Sequence, residues 1–321
     1  MKRKMLNVPK GGYDGMKGFT IVEFLVAGLL SVIVLIAVVS SYFTSRKLND
    51  AANERLAIQQ DLRNAATLIV RDARMAGSFG CFNMSEHTED DIVDSSSQTQ
   101  SNPVKPGAKQ ENPLFSLKRS GMDKQLIPVA ESTDIKYPGF IQRLNALVFQ
   151  YGIDDLDASA ETVVVSSCSK IAKPGKQIPT LEDAKKELKI ENSDKEQNGN
   201  IARQRHVVNA YAVGKIAGEE GLFRFQLDDK GKWGNPQLLA KKVRRMDVRY
   251  IYVSGCPEDA GKEEQFKYTD KFDSSVTPAG VEVLLDSGSD AKIAASSDNI
   301  IYAYRINATI RGGNVCANRT L

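Results

Sequence analysis

Read only for apolar and polar positions, the chain opens with a polar, basic stretch, residues 1–18, and then changes abruptly. From Phe19 to Phe43 it reads FTIVEFLVAGLLSVIVLIAVVSSYF, 25 residues with one charge, Glu23, and no Lys, Arg or Pro. At about 1.5 Å per residue this run predicts a helix of roughly 37 Å, longer than the ~30 Å hydrocarbon core of a bilayer. From Thr44 the pattern becomes amphipathic. Leu48, Ala52, Leu56, Leu62, Ala66, Ile69, Ala73 and Ala76 recur at spacings of three and four, with a break at Gln59. Arg46, Lys47, Asp50, Glu54, Asp61, Arg63, Arg71 and Arg74 mostly occupy other faces. No proline interrupts the 58 residues from Phe19 to Ala76, so one continuous helix is expected. Gly77 ends it in the manner of a C-cap, with Gly80 close behind. The repeat is too irregular and Ala-rich for a coiled coil, which points to one face packing on a sheet.

Beyond the helix the period changes from helical to alternating. Strand-like alternation falls at Ala146–Tyr151, Thr162–Ser167, His206–Lys215, Leu222–Leu227, Val243–Val253, Val281–Leu285 and Ile300–Arg311. Two polar stretches interrupt it, 83–113 and 173–200, and both read as exposed insertions. Within the second, Thr180 and Asp183 have the spacing to cap a short helix running to Lys189. The expected class is α+β: a long N-terminal helix on a mostly antiparallel β domain with large loops. The expected segments are 1–18, a polar leader; 19–43, a transmembrane helix; 44–78, an amphipathic helix; 79–142, a variable polar loop region; and 143–321, a β-rich globular domain.

Charge sharpens the orientation. The net formal charge is +3, but residues 1–18 carry +4, which leaves −1 for the remainder. Basic residues before an apolar span stay cytoplasmic, so the bulk of the chain is expected on the far side of the membrane. The near-neutral remainder gives no electrostatic reason to expect nucleic acid as a direct partner. A cleavable secretory signal has a shorter apolar core of about 7–15 residues closed by a small-x-small site, and no such site closes this run before Thr44. Cys81, Cys168, Cys256 and Cys316 lie far apart, with no CxxC and no nearby His, which argues against zinc. In an exported domain four such cysteines imply two disulfides, with three connectivities open. Cys256 and Cys316 each follow a predicted strand, so a Cys256–Cys316 bridge tying down the tail and a Cys81–Cys168 bridge at the helix end form the preferred pairing.

No catalytic constellation emerges. His87 and His206 are isolated, and no HExxH, GxSxG, Walker or GxGxxG pattern occurs. No enzyme activity, metal or cofactor is expected. Glu23 is the informative anomaly. A carboxylate at membrane depth costs about 2.5–3.5 kcal/mol on insertion scales, so it calls for a partner or for the interface.

Lys17-Gly18-Phe19-Thr20-Ile21-Val22-Glu23 resembles the processing motif of type IV prepilins: a basic leader, Gly, then Phe-Thr-x-x-Glu opening an apolar helix. The resemblance implies cleavage between Gly18 and Phe19 by prepilin peptidase and N-methylation of Phe19. It also implies that Glu23 aligns the subunit by meeting the N-terminus of a neighbour. Where major pilins usually carry Pro at the twenty-second residue after the cut, this chain has Ser40. ARMAGSFGC (73–81) resembles the helix end of the PilW-like minor pilins, called PilJ in some systems. LLAKKVRRMDVRYIYV (238–253) and NIIYAYRINATIRGG (299–313) resemble that family's later strands more loosely. The implied role is a minor pilin of the inner membrane, its β domain periplasmic, that primes pilus assembly at the filament tip. Its implied partners are other minor pilins and the major pilin, met through the N-terminal helix, together with the peptidase and the inner-membrane assembly platform. The competing expectations are a J-type pseudopilin of a type II secretion system and a tip adhesin or DNA-uptake subunit.

Overall fold

The computed structural model describes residues 18, 20–93, 125–159, 162–172, 178–191, 193, 200–255, 265–286, 304–311 and 313. The chain divides into two compact units, Met1–Ala57 and Ile58–Leu321. A single helix, α1 (Ile21–Met75), supplies the described core of the first and the opening of the second.

In the first unit, Phe24 to Val39 is apolar apart from Ser31, and its large side chains stay exposed. It is the one helix among the described residues long and apolar enough to cross a membrane. Hydroxyls on and beside it find acceptors in the helix itself: Ser31 Oγ donates to the Ala27 carbonyl (2.7 Å) and Thr44 Oγ1 to that of Ser40 (2.9 Å). Such back-bonding removes orphan donors where no water is at hand.

The second unit is built around the rest of the helix. Leu62, Ala65, Ala66, Ile69, Ala73 and Ala76 form its buried stripe. The expected stripe therefore holds from Leu62 onward, whereas Leu48 and Leu56 remain 66% and 63% exposed. Eight residues apart with only Ala51 and Ala52 as apolar residues between, those two leucines offer little continuous apolar area for a sheet to cover.

Two sheets share this core. The larger has nine strands around β9 (Ala202–Ile216), whose edges are each used twice. One edge takes β7 (Val163–Ser166) and then β10 (Glu219–Leu227); the other takes β6 (Ala146–Ile153) and then β5 (Phe140–Gln142). Outside these lie β4 (Val129–Ser132) on β6, β11 (Trp233–Lys241) on β10, and β8 (Ile171–Ala172) on β7. β3 (Ile92–Val93) adds the parallel pair, on β8. The smaller sheet is antiparallel, in the order β13 (Gln265–Thr269), β12 (Arg245–Gly255), β14 (Gly280–Asp286), β15 (Tyr304–Thr309). The α+β arrangement with mostly antiparallel sheets thus matches the sequence pattern.

Period-2 alternation explains why the central strands are buried on both sides. Along β6 and β9, Leu147, Phe149, Tyr211 and Val213 join the helix core, while Ala146, Val148, Val208, Ala210 and Ala212 join a second cluster with Phe223, Phe225 and Trp233. The polar stretch expected as an exposed loop from 83 differs from expectation at its start. Met84 and Ser85, in a 3-10 turn, and Ile92, at the start of the strand that follows a second such turn, are buried, and Met84 and Ile92 cluster with Phe79 and Phe82. Residues 94–124 lie outside the described residues. The short helix in the second polar stretch is α2 (Leu181–Leu188), with Thr180 Oγ1 accepting from the Asp183 amide at 3.1 Å.

Candidate functional site

The processing-type sequence meets the helix at its first turn. Gly18 is exposed, and among the described residues nothing lies within 4 Å of where its Cβ would be. The fold therefore makes no demand for glycine there. Phe19 lies outside the described residues. Thr20 is the N-cap of α1 and Glu23 its third residue. Glu23 Oε2 accepts from the Thr20 amide and the Thr20 hydroxyl, both at 3.0 Å, and Thr20 Oγ1 accepts from the Glu23 amide at 3.3 Å. This is a reciprocal capping box, in which a carboxylate and a hydroxyl satisfy helix-end donors that have no partner further up the chain. The carboxylate also complements the positive end of the helix dipole. Glu23 thus has a local partner, Thr20, that the reading of its membrane depth did not supply. The signal was present as T-x-x-E.

At its other end the helix runs into the element 73–81. Gly77 (φ +79°) and Gly80 (φ +65°) both take the left-handed backbone. A Cβ on Gly80 would fall 2.6 Å from that of Ala202, so only glycine fits the turn between β1 (Ser78–Phe79) and β2 (Phe82–Asn83). The hairpin is held to the end of β7 from both sides of that turn. Ser166 Oγ donates to the Phe79 carbonyl at 2.7 Å, and a disulfide joins Cys81 to Cys168. The other expected pair, Cys256 and Cys316, lies outside the described residues.

Between these ends sits a group the sequence reading passed over. Asp72 is fully buried on the sheet-facing side of α1. It accepts from Tyr211 Oη at 2.6 Å, Tyr151 Oη at 2.8 Å and Asn209 Nδ2 at 2.9 Å. The Arg224 guanidinium reaches it at 3.2 Å, and Arg71 approaches its other oxygen at 3.1 Å. These donors come from β6, β9 and β10, so one carboxylate ties the helix to three strands. A buried charge persists only when paired and fully hydrogen-bonded, and this one is. Burial, reinforced by the Asp72 charge, pushes the Tyr151 hydroxyl up to about 12; the same causes push Tyr211 higher still. Asp72 falls three residues after Ile69 and ten after Leu62, on the apolar stripe itself. A charge in that position was the available signal.

His206 lies inside β9, fully buried, with Nε2 3.1 Å from Gln150 Oε1 and its ring edge-on to Phe79. Gln150 donates its own amide to the Ile127 carbonyl, so His206 Nε2 is the donor to Gln150. Burial depresses its pKa to about 3, which keeps it neutral. His87, in the segment before β3, stacks on Phe82 and pairs with Asp91 at 3.2 Å. Among the described residues no three His, Cys, Asp or Glu side chains converge to hold a metal ion. An open cleft of about 450 Å³ lies between the two sheets, its rim formed by Glu131, Arg143, Asn145, Arg249 and Asp270. Arg143 pairs with Glu220 and Arg249 with Asp270 and Glu282, while Glu131 accepts from Tyr250 Oη. That cleft presents ion pairs rather than a nucleophile and base.

No family model matches the chain, and no curated protein and no solved structure matches it either. Its role therefore rests on its own chemistry.

Proposed function

We propose that this chain is a minor, PilW-like subunit of a type IV pilus-like filament, cleaved between Gly18 and Phe19, methylated on Phe19, and active in priming assembly at the filament tip. One observation carries the reading. An uncovered apolar helix begins immediately after the processing-type sequence, and its first turn is closed by Thr20 and Glu23. Such a helix is stable only in lipid or against other apolar helices, and a prepilin uses the two in turn.

On this reading the subunit waits in the inner membrane with the β domain in the periplasm. The Cys81–Cys168 disulfide supports an oxidising compartment for that domain. The peptidase releases residues 1–18 and leaves a new amino group on Phe19, four residues before Glu23. The same carboxylate that closes the helix end then meets the N-terminus of a neighbour during incorporation. Other minor pilins and the major pilin are the partners in the filament, and the assembly platform delivers the subunit to it. No catalytic step is assigned to the chain.

The test is Glu23→Ala in a piliated host. We expect normal membrane insertion and normal cleavage but a several-fold loss from sheared filaments. Wild-type amounts in the filament would remove Glu23 from the account.

A further inference from the structure

The smaller sheet turns one face to the helix core and the other away from it. Tyr250, Val281, Val283, Ile306 and Ala308 pack into that core. Strand alternation therefore sends Phe266 and Tyr268 of β13 outward, opposite the half-buried Val253 and Ile251 of β12. Both rings are exposed, Phe266 by 46% and Tyr268 by 63%. Two positions along a strand set them about 7 Å apart on one line. Beside them the same face carries a row of charges running from the end of β13 to β15. Arg249 pairs with Asp270 at 3.3 Å and with Glu282 at 3.4 Å, and Arg305 pairs with Glu282 at 3.1 Å. Two cations and two anions cancel, and the outermost members, Asp270 and Arg305, stay open to solvent. Asn307 and Thr309 lie exposed on the same face of β15, opposite Glu282 and Gly280.

We infer that this face binds a neutral, β-linked glycan, with Phe266 and Tyr268 stacking on sugar rings and the Asp270–Arg249–Glu282–Arg305 row bonding the hydroxyls. A sugar ring has an apolar C–H face and a rim of hydroxyls, each both donor and acceptor. The sheet presents the complement of both side by side. Charge balance argues against anionic ligands, because nucleic acid and acidic lipid call for an excess of cations that the row does not supply. Size argues against a protein partner. Four apolar side chains on two strands fall far short of the roughly 800 Å² per partner that a stable interface buries. Strand addition at the β13 edge is opposed by Lys267, an exposed charge on the other face in the middle of the strand. A straight line of rings suits a ribbon-shaped β-linked chain better than a coiled α-linked one. None of these points depends on the leader or on Glu23.

The test is saturation-transfer NMR on the full-length chain in micelles of a sugar-free detergent. The probes are cellohexaose, the β-linked hexamer of N-acetylglucosamine, and α-linked maltohexaose. We expect transfer to the ring protons of the β-linked probes and little to maltohexaose. Added salt should leave the affinity unchanged, because the ligand carries no charge. Phe266→Ala and Tyr268→Ala should each weaken binding about fivefold without moving thermal unfolding, whereas Tyr268→Phe should retain it. Absence of transfer to both β-linked probes, equal binding of maltohexaose, or unchanged binding by the double variant Phe266→Ala with Tyr268→Ala would overturn the inference. So would tighter, salt-sensitive binding to phosphatidylglycerol vesicles that the same double variant abolishes. No readout needs cleavage or a filament, so failure of the processing reading would leave the result interpretable.

Discussion

Replacing Asp72 by Ala should be among the most damaging single changes in the β domain. The wild-type carboxylate is fully buried and neutralises Arg224, whose side chain is only 14% exposed. Its removal leaves a guanidinium in a dry site without its counter-ion, a loss of about 3–5 kcal/mol for a broken buried pair. The hydroxyls of Tyr151 and Tyr211 also lose their acceptor, at about 1–3 kcal/mol for each group left unsatisfied, while the Asn209 amide keeps the Tyr151 hydroxyl at 3.0 Å. Rearrangement and water admitted to the vacated space offset part of this, so a total near 4 kcal/mol is expected. Against a domain stability of about 5–15 kcal/mol, that is a large share. The assay is urea unfolding of the detergent-solubilised chain followed by Trp233, the sole tryptophan, which is 7% exposed in the second cluster. Asp72→Ala combined with Arg224→Met should lose less than the sum of the single changes, because the stranded charge is gone; a coupling of about 2 kcal/mol is expected. Asp61→Ala, on the flank of the same helix, should cost under about 0.5 kcal/mol. A cost below about 1 kcal/mol for Asp72→Ala, or strict additivity with Arg224→Met, would refute the idea that this carboxylate holds the helix to the sheet.

Other consequences follow from the same geometry. The folded state keeps Tyr151 protonated up to about pH 12 while an unfolded tyrosine ionises near 10, so this contribution is intact below pH 10 and lost as pH rises from 10 to 12. Absorbance at 295 nm should show the tyrosinate of Tyr151 appearing with unfolding rather than before it, and Tyr151→Phe should remove its share of the alkaline loss. His206 acts at the other end of the scale: its depressed pKa means stability is complete above about pH 6.5 and falls as pH drops toward 3, by about 2 kcal/mol at pH 5. His206→Gln should flatten that slope in denaturant titrations, and an unchanged slope would show that the histidine takes up its proton without unfolding. Gly80→Ala should destabilise by about 2 kcal/mol or more, because it combines a left-handed backbone with a 2.6 Å clash, whereas Gly18→Ala should leave the melting temperature unchanged. The Cys81–Cys168 bridge spans 87 positions, for which chain entropy sets a contribution of up to about 4.5 kcal/mol; calorimetry of Cys81→Ser with Cys168→Ser measures it.

What the sequence made legible was periodicity, and what it hid were exceptions to it. β6, β9, β10, β12 and β14 follow apolar alternation and were found close to their true bounds. β11 was not, because Asn235 and Pro236 break its pattern. Asn235 has φ +49°, and the register slips beside it, so two residues face one on β10. A proline without an amide is tolerated there because the strand lies at the sheet edge. β13 escaped notice since nearly all its side chains are exposed, which leaves no buried face to mark it. Asp72 lies between the stripe residues Ile69, Ala73 and Ala76, and a period drawn through apolar positions alone does not register a charge on the same face. For Glu23, membrane depth drew attention to a distant partner, while the spacing from Thr20 already specified a near one. The cysteine connectivity required three dimensions, because Ser166 and Phe79 bring β7 to the helix exit in a way no spacing announces.

The most direct measurement is mass spectrometry of the mature N-terminus, on protein purified from a host that carries a prepilin peptidase. The account predicts a chain beginning at N-methylated Phe19, with residues 1–18 absent. An intact leader, or a cut after Ser40, would contradict it.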